Sequence, residues 1–470
     1  MTQKPLPRWQ ILVCIGLTTF MADLDASIVN VALPRINQAL ATTMRISELI
    51  ISSYLITICV FLLFSGKLGD TFGKANLFKI GMIIFTLGSL FCGLSTTITW
   101  LLVARFVQAV GAAMTMSTNN GIITEIFPTS ERGQALGWIG SFVALGMITG
   151  PGIGGVLLTF FPWQAIFWIN VPIGIVLTMW GFIILPVERS HHKTKLDWQG
   201  ILFNGLSLTG FFGYIYAGQQ VGYTNGWLVV MLLAAIILMV AFVYHEQHMA
   251  APLLDFSLFY QVDFTIGIIT AILIFIANNF YMVLMPFYLE NAKLIGVCVS
   301  GLIMMMLPVV QVIVAPISGR LADRFGTIQV TLVGAMIILL AQLGLICLGL
   351  HTSLAMIGAI VALLGLGNAI FQSPNNSMIM GAVIPTVLGV AGSINSLSRN
   401  LGMVLGNALA TSLLFISMSR SAHATVTNFE PRYVNFFITG QRQIYGFGTG
   451  LLVVVFALIV WRKTLEKKGN

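Results

Sequence analysis

Apolar stretches of about 20 residues follow one another along almost the whole chain, separated by short polar joints. Each is long enough to carry a helix across ~30 Å of hydrocarbon. A spanning segment must also satisfy its own backbone in lipid, and an α-helix does so. A soluble domain is excluded: 8% of the 470 residues are charged and 57% are apolar, against roughly 25% charged in an ordinary globular domain. The first stretch begins near Ile11 and exceeds signal-peptide length, with no small-residue cleavage pattern after it, so it reads as a retained helix. Cys14, Cys59, Cys92, Cys298 and Cys347 lie in apolar segments at unrelated spacings and read as buried, inert thiols.

Fourteen spans are predicted, near 11–36, 48–66, 76–95, 100–124, 134–159, 165–186, 198–218, 226–245, 263–289, 296–318, 328–350, 353–379, 388–415 and 441–461. An even number places both termini on one side. Most of the 23 Lys and Arg fall on that side, Lys67, Lys74, Arg132, Arg320 and Arg324 among them. By the positive-inside rule the termini face the cytoplasm, and this distribution accounts for the net charge of +8 without an acidic partner. The expected fold class is an all-α polytopic protein of the cell membrane.

Part of the chain repeats. "GKLGDTFGKANL" at 66–77 returns as "GRLADRFGTIQV" at 319–330, with Gly66, Asp70 and Gly73 matching Gly319, Asp323 and Gly326 at an offset of 253. "STNN" at 117–120 matches "SPNN" at 373–376, and Gly146, Met147 and Gly150 match Gly402, Met403 and Gly406, both at an offset of 256. The chain therefore reads as a six-helix bundle over 1–186, a linker with two inserted helices over 187–250, and a second six-helix bundle over 251–470. Parallel halves of this kind are a transporter architecture, with the substrate site where they meet.

These motifs resemble the major facilitator superfamily, and within it the fourteen-helix drug:proton antiporter branch. "LDASIVNVALP" at 24–34 resembles the branch's first-helix motif. "LLVARFVQAVGAAM" at 101–114 resembles the fourth-helix motif, built on Arg105, Gln108 and Gly111. "GMITGPGIGG" at 146–155 resembles the antiporter motif, with Gly146, Gly150, Pro151, Gly154 and Gly155 present. Its glycines give a face for close helix approach, and Pro151 permits a kink. The resemblance implies alternating access, export in exchange for protons, and a loop around Gly66, Asp70, Gly73 and Lys74 that latches the halves in the outward-open state. Its second copy keeps Asp323 and Arg324. Thr71 and Thr327 stand where basic residues are usual, so a weaker latch is expected.

Of the 15 acids, Asp23 and Asp25 alone lie well inside a predicted span. Two residues apart on a helix is roughly 200°, so they point to different faces. Intramembrane carboxylates are costly and mark function. Asp25 holds the acidic position of the first-helix motif and is the expected proton carrier, with Asp23 the alternative and Arg105 the expected partner at similar depth. Arg399 lies mid-span in "SINSLSRNLG", where some relatives of this branch place acids. That argues against a dedicated site for divalent cationic drugs, and leaves either two acids and two arginines that exchange partners during the cycle or Arg399 as the holder of an anionic or zwitterionic substrate.

Amides in spans are expected to face the interior. The candidate substrate-binding residues are Asn30, Asn119, Asn120, Asn278, Asn279, Gln311, Gln372, Asn375, Asn376 and Asn395, beside Tyr54, Met114, Met147, Tyr281 and Arg399. The expected function is proton-coupled efflux of amphipathic drugs or biocides. The alternative is export of a specific metabolite, lipid or anionic compound by the same fold. An enzyme is not expected: the chain has no nucleotide loop, HExxH or GxSxG, and His191 and His192 sit in a charged linker. The expected partners are a small amphipathic substrate, protons and the lipid bilayer, with no nucleic acid, no metal and no cofactor, in a monomer.

Overall fold

Every predicted apolar stretch is helical in the computed structural model, which describes residues 7–42, 44–186, 197–249, 252–422 and 434–469. The first group is α1 (Arg8–Ala39), α2 (Met44–Phe72), α3 (Lys74–Gly93), α4 (Ile98–Ile126), α5 (Thr129–Phe160), the single turn α6 (Ala165–Trp168) and α7 (Asn170–Ile184). Next come α8 (Trp198–Val221) and α9 (Gly226–His248). The last group is α10 (Val262–Pro286), α11 (Val297–Phe325), α12 (Thr327–Ile346), α13 (Leu354–Gly381), α14 (Leu388–Ala422) and α15 (Val434–Gly469). No strand occurs among the described residues. Thirteen helices among them are long and apolar enough to cross a membrane, and α8 falls short.

Local chemistry sets several boundaries. Thr97, Asp197, Asn225 and Ser353 cap α4, α8, α9 and α13, each accepting a backbone N–H of the first turn. Gly73 and Gly326, equivalent in the repeat, stand at φ 97° and 91°, so the turns α2–α3 and α11–α12 need residues without a Cβ.

Within the first group α1 packs on α5, and α4 lies between α2 and α3. Within the last, α10 packs on α14, and α13 lies between α11 and α12. Apolar cores fill each, around Phe78, Met82 and Phe127 in the first and around Phe280, Leu284 and Ile338 in the last. The two groups meet where α5 crosses α11 and α2 crosses α14. α8 and α9 form an antiparallel pair, with α8 wedged against α2 and α14 through Phe212, Cys59 and Val404.

Contacts place both chain ends on one face. Arg8 at the start of α1 lies 3.8 Å from Glu131 at the start of α5, and Arg462 of α15 pairs with Asp263 at the start of α10. On this terminal face Lys74 also joins Glu125 (3.1 Å) to the Pro385 carbonyl (3.3 Å). α8 runs from there, where Trp198 stacks near Phe64, to the opposite face, where Ser412 of α14 donates to the Tyr223 hydroxyl. Burial would push the Asp197 carboxyl up, but the Gly200 N–H and His245 hold it below the usual carboxylate range.

Some expectations need correcting. Cys14, Cys59 and Cys92 are buried, but Cys347 is exposed because it lies past the end of α12. Between the predicted spans 388–415 and 441–461, residues 416–422 and 434–440 are helical, because α14 and α15 run past the predicted ends. Residues 423–433 and 187–196, with His191 and His192, lie outside the described residues.

Candidate functional site

A small cavity lies where the two groups face each other, with room for about 40 Å³ in this conformation. Its walls obey the repeat. At the offset of 256, Met116 corresponds to Gln372, Asn120 to Asn376, Ile139 to Asn395, Gly140 to Ser396 and Val143 to Arg399. Asn119, Thr19 and Phe275 complete the lining. At four of these five positions the last group carries a polar side chain where the first carries an apolar one or none, while Thr19, Asn119 and Asn120 make the first group's lining polar as well. Asn395 donates to Asn376 at 3.0 Å, and Ser396 donates across the interface to the Met116 carbonyl at 3.2 Å. The side-chain amides of Asn120 and Gln372 have no protein partner among the described residues.

Asp25 does not reach this cavity. Its carboxylate is fully buried inside the first group and accepts from Arg105 at 2.5 Å, Gln108 at 2.9 Å and Asn170 at 2.8 Å. Arg105 also donates to Gln108 at 2.7 Å and stacks 4.0 Å from the Tyr54 ring centroid. Gln108 then donates to Ser89 at 2.8 Å. The break at Ile169, between α6 and α7, puts Asn170 at the head of α7 and against Asp25. This network ties α1, α4 and α7 together, with three donors, one of them a guanidinium, converging on one carboxylate.

Asp23 is placed otherwise. It lies one turn along α1 from Thr19 on the same face, with Gly146 of α5 against it. Its Oδ2 is buried and has no hydrogen-bond partner. The charge that acts on it comes from the other group, from Arg399, itself one turn along α14 from Asn395. The repeat extends to this position. A Cβ at Gly146 would meet the Phe20 carbonyl and the Asp23 Cβ; one at Gly402 would meet the Ile272 carbonyl and the Phe275 Cβ. Phe275 therefore holds in the last group the place that Asp23 holds in the first.

Two matching contacts close the terminal face. Asp70 accepts from the N–H groups of Gly389 (2.7 Å) and Val390 (2.9 Å) at the head of α14. Asp323 accepts from Gly133 (2.9 Å) and Gln134 (3.0 Å) near the head of α5. Both carboxylates sit where a helix N-terminus favours negative charge. Lys74 lies 3.6 Å from Asp70. A Cβ at Gly66 would stand 2.6 Å from the Gly389 carbonyl oxygen, and one at Gly319 would overlap the Gly133 carbonyl, so these glycines allow the helices to cross. Arg324 is exposed over Phe325 and takes no part.

The antiporter-like motif behaves as a packing face along most of its length. Gly146, Gly150 and Gly154 meet α1 at Asp23, Ser27 and Ile28, while Gly155 faces open space. α5 runs unbroken through Pro151, whose side chain lies outside the described set.

Of the expected substrate-binding residues, Asn119, Asn120, Gln372, Asn376, Asn395 and Arg399 line the cavity. The others lie elsewhere. Asn30 is exposed, and Tyr54 packs on Arg105. Asn278 and Asn368 hydrogen-bond each other, and Asn279 donates to the Met403 carbonyl. Asn375 bonds to Gly267 and Thr270. Met114 packs against Gly81 of α3, and Tyr281 is buried in the core of the last group. Met147 and Gln311 are half-buried outside the lining. Thr19, Ser396, Phe275 and Asn170 escape a reading of the sequence, although Thr19 is one turn from Asp23 and Ser396 follows Asn395.

Two facing helical groups with a polar cavity between them define a membrane transporter. The chain belongs to the Major Facilitator Superfamily, which it matches over residues 15–407. It is similar to the riboflavin transporter RibZ of Clostridioides difficile, with 32% identity over 88% of this chain and 89% of that one. It is also similar to the multidrug resistance protein Stp of Mycobacterium tuberculosis, with 30% identity over 86% and 75%. Its fold matches the human organic anion transporter MFSD10, with a TM-score of 0.66 at 15% identity over 96% of this chain and 99% of that one. The protein is thus a multi-pass membrane transporter of small molecules rather than an enzyme.

Proposed function

We propose that this transporter is a proton-coupled efflux antiporter for a small amphipathic solute, working by alternating access as a monomer in the cell membrane. In this reading α8 is a fourteenth crossing, and the terminal face, rich in Lys and Arg, is cytoplasmic. The names of its relatives include drug resistance, which favours export. With the terminal face closed, the cavity would exchange with the outside. Release of the Asp70 and Asp323 contacts would expose it to the cytoplasm.

Asp23, rather than Asp25, carries the proton in this proposal. The supporting observation is the contrast between the two. Asp25 is saturated by three donors within one rigid group, so protonating it would break that group's internal bracing. Asp23 has a free buried oxygen beside the cavity, and its counter-charge, Arg399, sits on the other group. Parting the groups changes that interaction, which couples protonation to conformation. A solute that donates hydrogen bonds to ionised Asp23 competes with the proton, as antiport requires.

The test uses pump-deficient bacteria expressing the protein, screened against a broad susceptibility panel and loaded with any compound they come to extrude. Asp23→Asn, whose carbonyl can still accept a hydrogen bond, is expected to abolish extrusion driven by the proton gradient while the compound still binds, but with no dependence on pH. Extrusion that persists in this variant and still collapses with a protonophore removes Asp23 from the mechanism.

A further inference from the structure

The ends of α8 and α9 on the terminal face bring together two acids that neither the cavity nor the seams use. Asp197 caps α8 by accepting the Gly200 N–H at 3.0 Å, and His245 Nε2 stands 3.0 Å from both of its oxygens. Glu246 is 3% exposed, and its Oε2 accepts the Leu254 N–H at 3.0 Å. Its Oε1 is buried and has no hydrogen-bond partner. That oxygen is aimed at Asp197. A Cβ at Gly200 would stand 2.3 Å from Glu246 Oε1 and 2.4 Å from Asp197 Oδ2, and the two carboxyl groups lie within hydrogen-bonding reach of each other.

Two ionised carboxylates do not fit this arrangement. Each is an acceptor only, and like charges held together out of water cannot both ionise cheaply. Among the described residues no Lys or Arg pairs with either acid. The titratable groups that face Glu246 are Asp197 of α8 and His245 of α9. The connection to α10 presents backbone N–H groups; its Asp255 is exposed and accepts from Ser257, and Asp263 at the head of α10 pairs with Arg462. A proton supplies the missing donor. We propose that Glu246 and Asp197 bind one proton between them, with Glu246 as the acid that donates its O–H to Asp197 Oδ2. His245 and the Gly200 N–H keep Asp197 the acceptor, and the absence of a side chain at Gly200 lets the two groups meet.

This proton sits at a mechanical joint. Leu254 belongs to the connection 252–261 between α9 and α10. Leu253 and Leu254 share one apolar cluster with Phe242 of α9, Leu63 of α2 and Leu388 of α14, beside the seam that Asp70 closes. With the proton bound, Glu246 clasps the inserted pair to that seam. As the terminal side turns alkaline the proton leaves to solvent, and two buried like charges remain. Separation or hydration relieves them, and Glu246 then releases Leu254. The clasp is therefore closed while the proton is held and is lost as pH rises through the ionisation of the pair, which titrates as a unit.

Hydrogen exchange of the full-length protein in lipid nanodiscs tests this from about pH 5.5 to about 9, which brackets the ionisation of buried carboxyls. After correction for the intrinsic rate at each pH, the connection 252–261 is expected to exchange at least tenfold faster at the alkaline end. Glu246→Gln, whose amide donates to Asp197 and whose carbonyl accepts from Leu254, is expected to stay protected throughout. Asp197→Asn keeps a cap for α8 and gives Glu246 a donor, so it is expected to behave alike and guards against one variant failing to fold. Infrared difference spectra at the acidic end, wild type minus Glu246→Gln, are expected to show one carboxylic-acid C=O band. Absence of that band, exchange that does not change with pH, or a pH dependence that survives Glu246→Gln overturns the proposal. Neither readout involves transport, so the result is independent of the proton-coupled reading.

Discussion

Asp23 and Asp25 show how two positions along one helix give the same residue different physics. Both acids sit in an apolar run, so their depth is legible in the sequence. Their partners are not, because Arg105, Gln108 and Asn170 arrive from α4 and α7, and Arg399 from the other half. Removing one member of a buried, hydrogen-bonded ion pair typically costs about 3–5 kcal/mol, since the other charge is left uncompensated. Asp25→Asn is therefore expected to lower the thermal unfolding midpoint in detergent sharply. Asp23→Asn, which neutralises a group with an unsatisfied buried oxygen, is expected to leave the midpoint unchanged or raised. Equal losses in the two variants would contradict this assignment.

At the scale of elements, the seams α2–α14 and α5–α11 decide which face is closed. Each holds one carboxylate on two backbone N–H groups of the facing helix. Such hydrogen bonds to a charged group are worth about 1.5–3 kcal/mol each. Losing the ~2 kcal/mol of a single one shifts a two-state population about thirtyfold. Asp70→Ala is accordingly expected to open the terminal face. Maleimide labelling of a cysteine introduced as Ser393→Cys, buried behind Gly66, should then run at least tenfold faster, and an unchanged rate would mean the contact does not set the equilibrium. The repeated glycines and aspartates reveal these elements in the sequence. That Asp70 reaches across to α14, 319 residues away, follows only from the folded arrangement or from family resemblance.

At the scale of the molecule, the all-helical architecture and the repeat are legible because lipid imposes one hydrogen-bonding pattern on every span. Which face a helix turns to the cavity is not, because amides serve packing as readily as binding. Asn278 with Asn368, and Asn375 with Gly267, are spent inside their own bundle, and no residue pattern separates them from Asn376 or Asn395. The offset of 256 does better than residue type: it gives the position in one half that corresponds to a known lining position in the other. The two carboxylate contacts then have a mechanical consequence. Asp70 and Asp323 brace the terminal face at two seams that the repeat relates, so that face is bolted at two points and parts only as a whole.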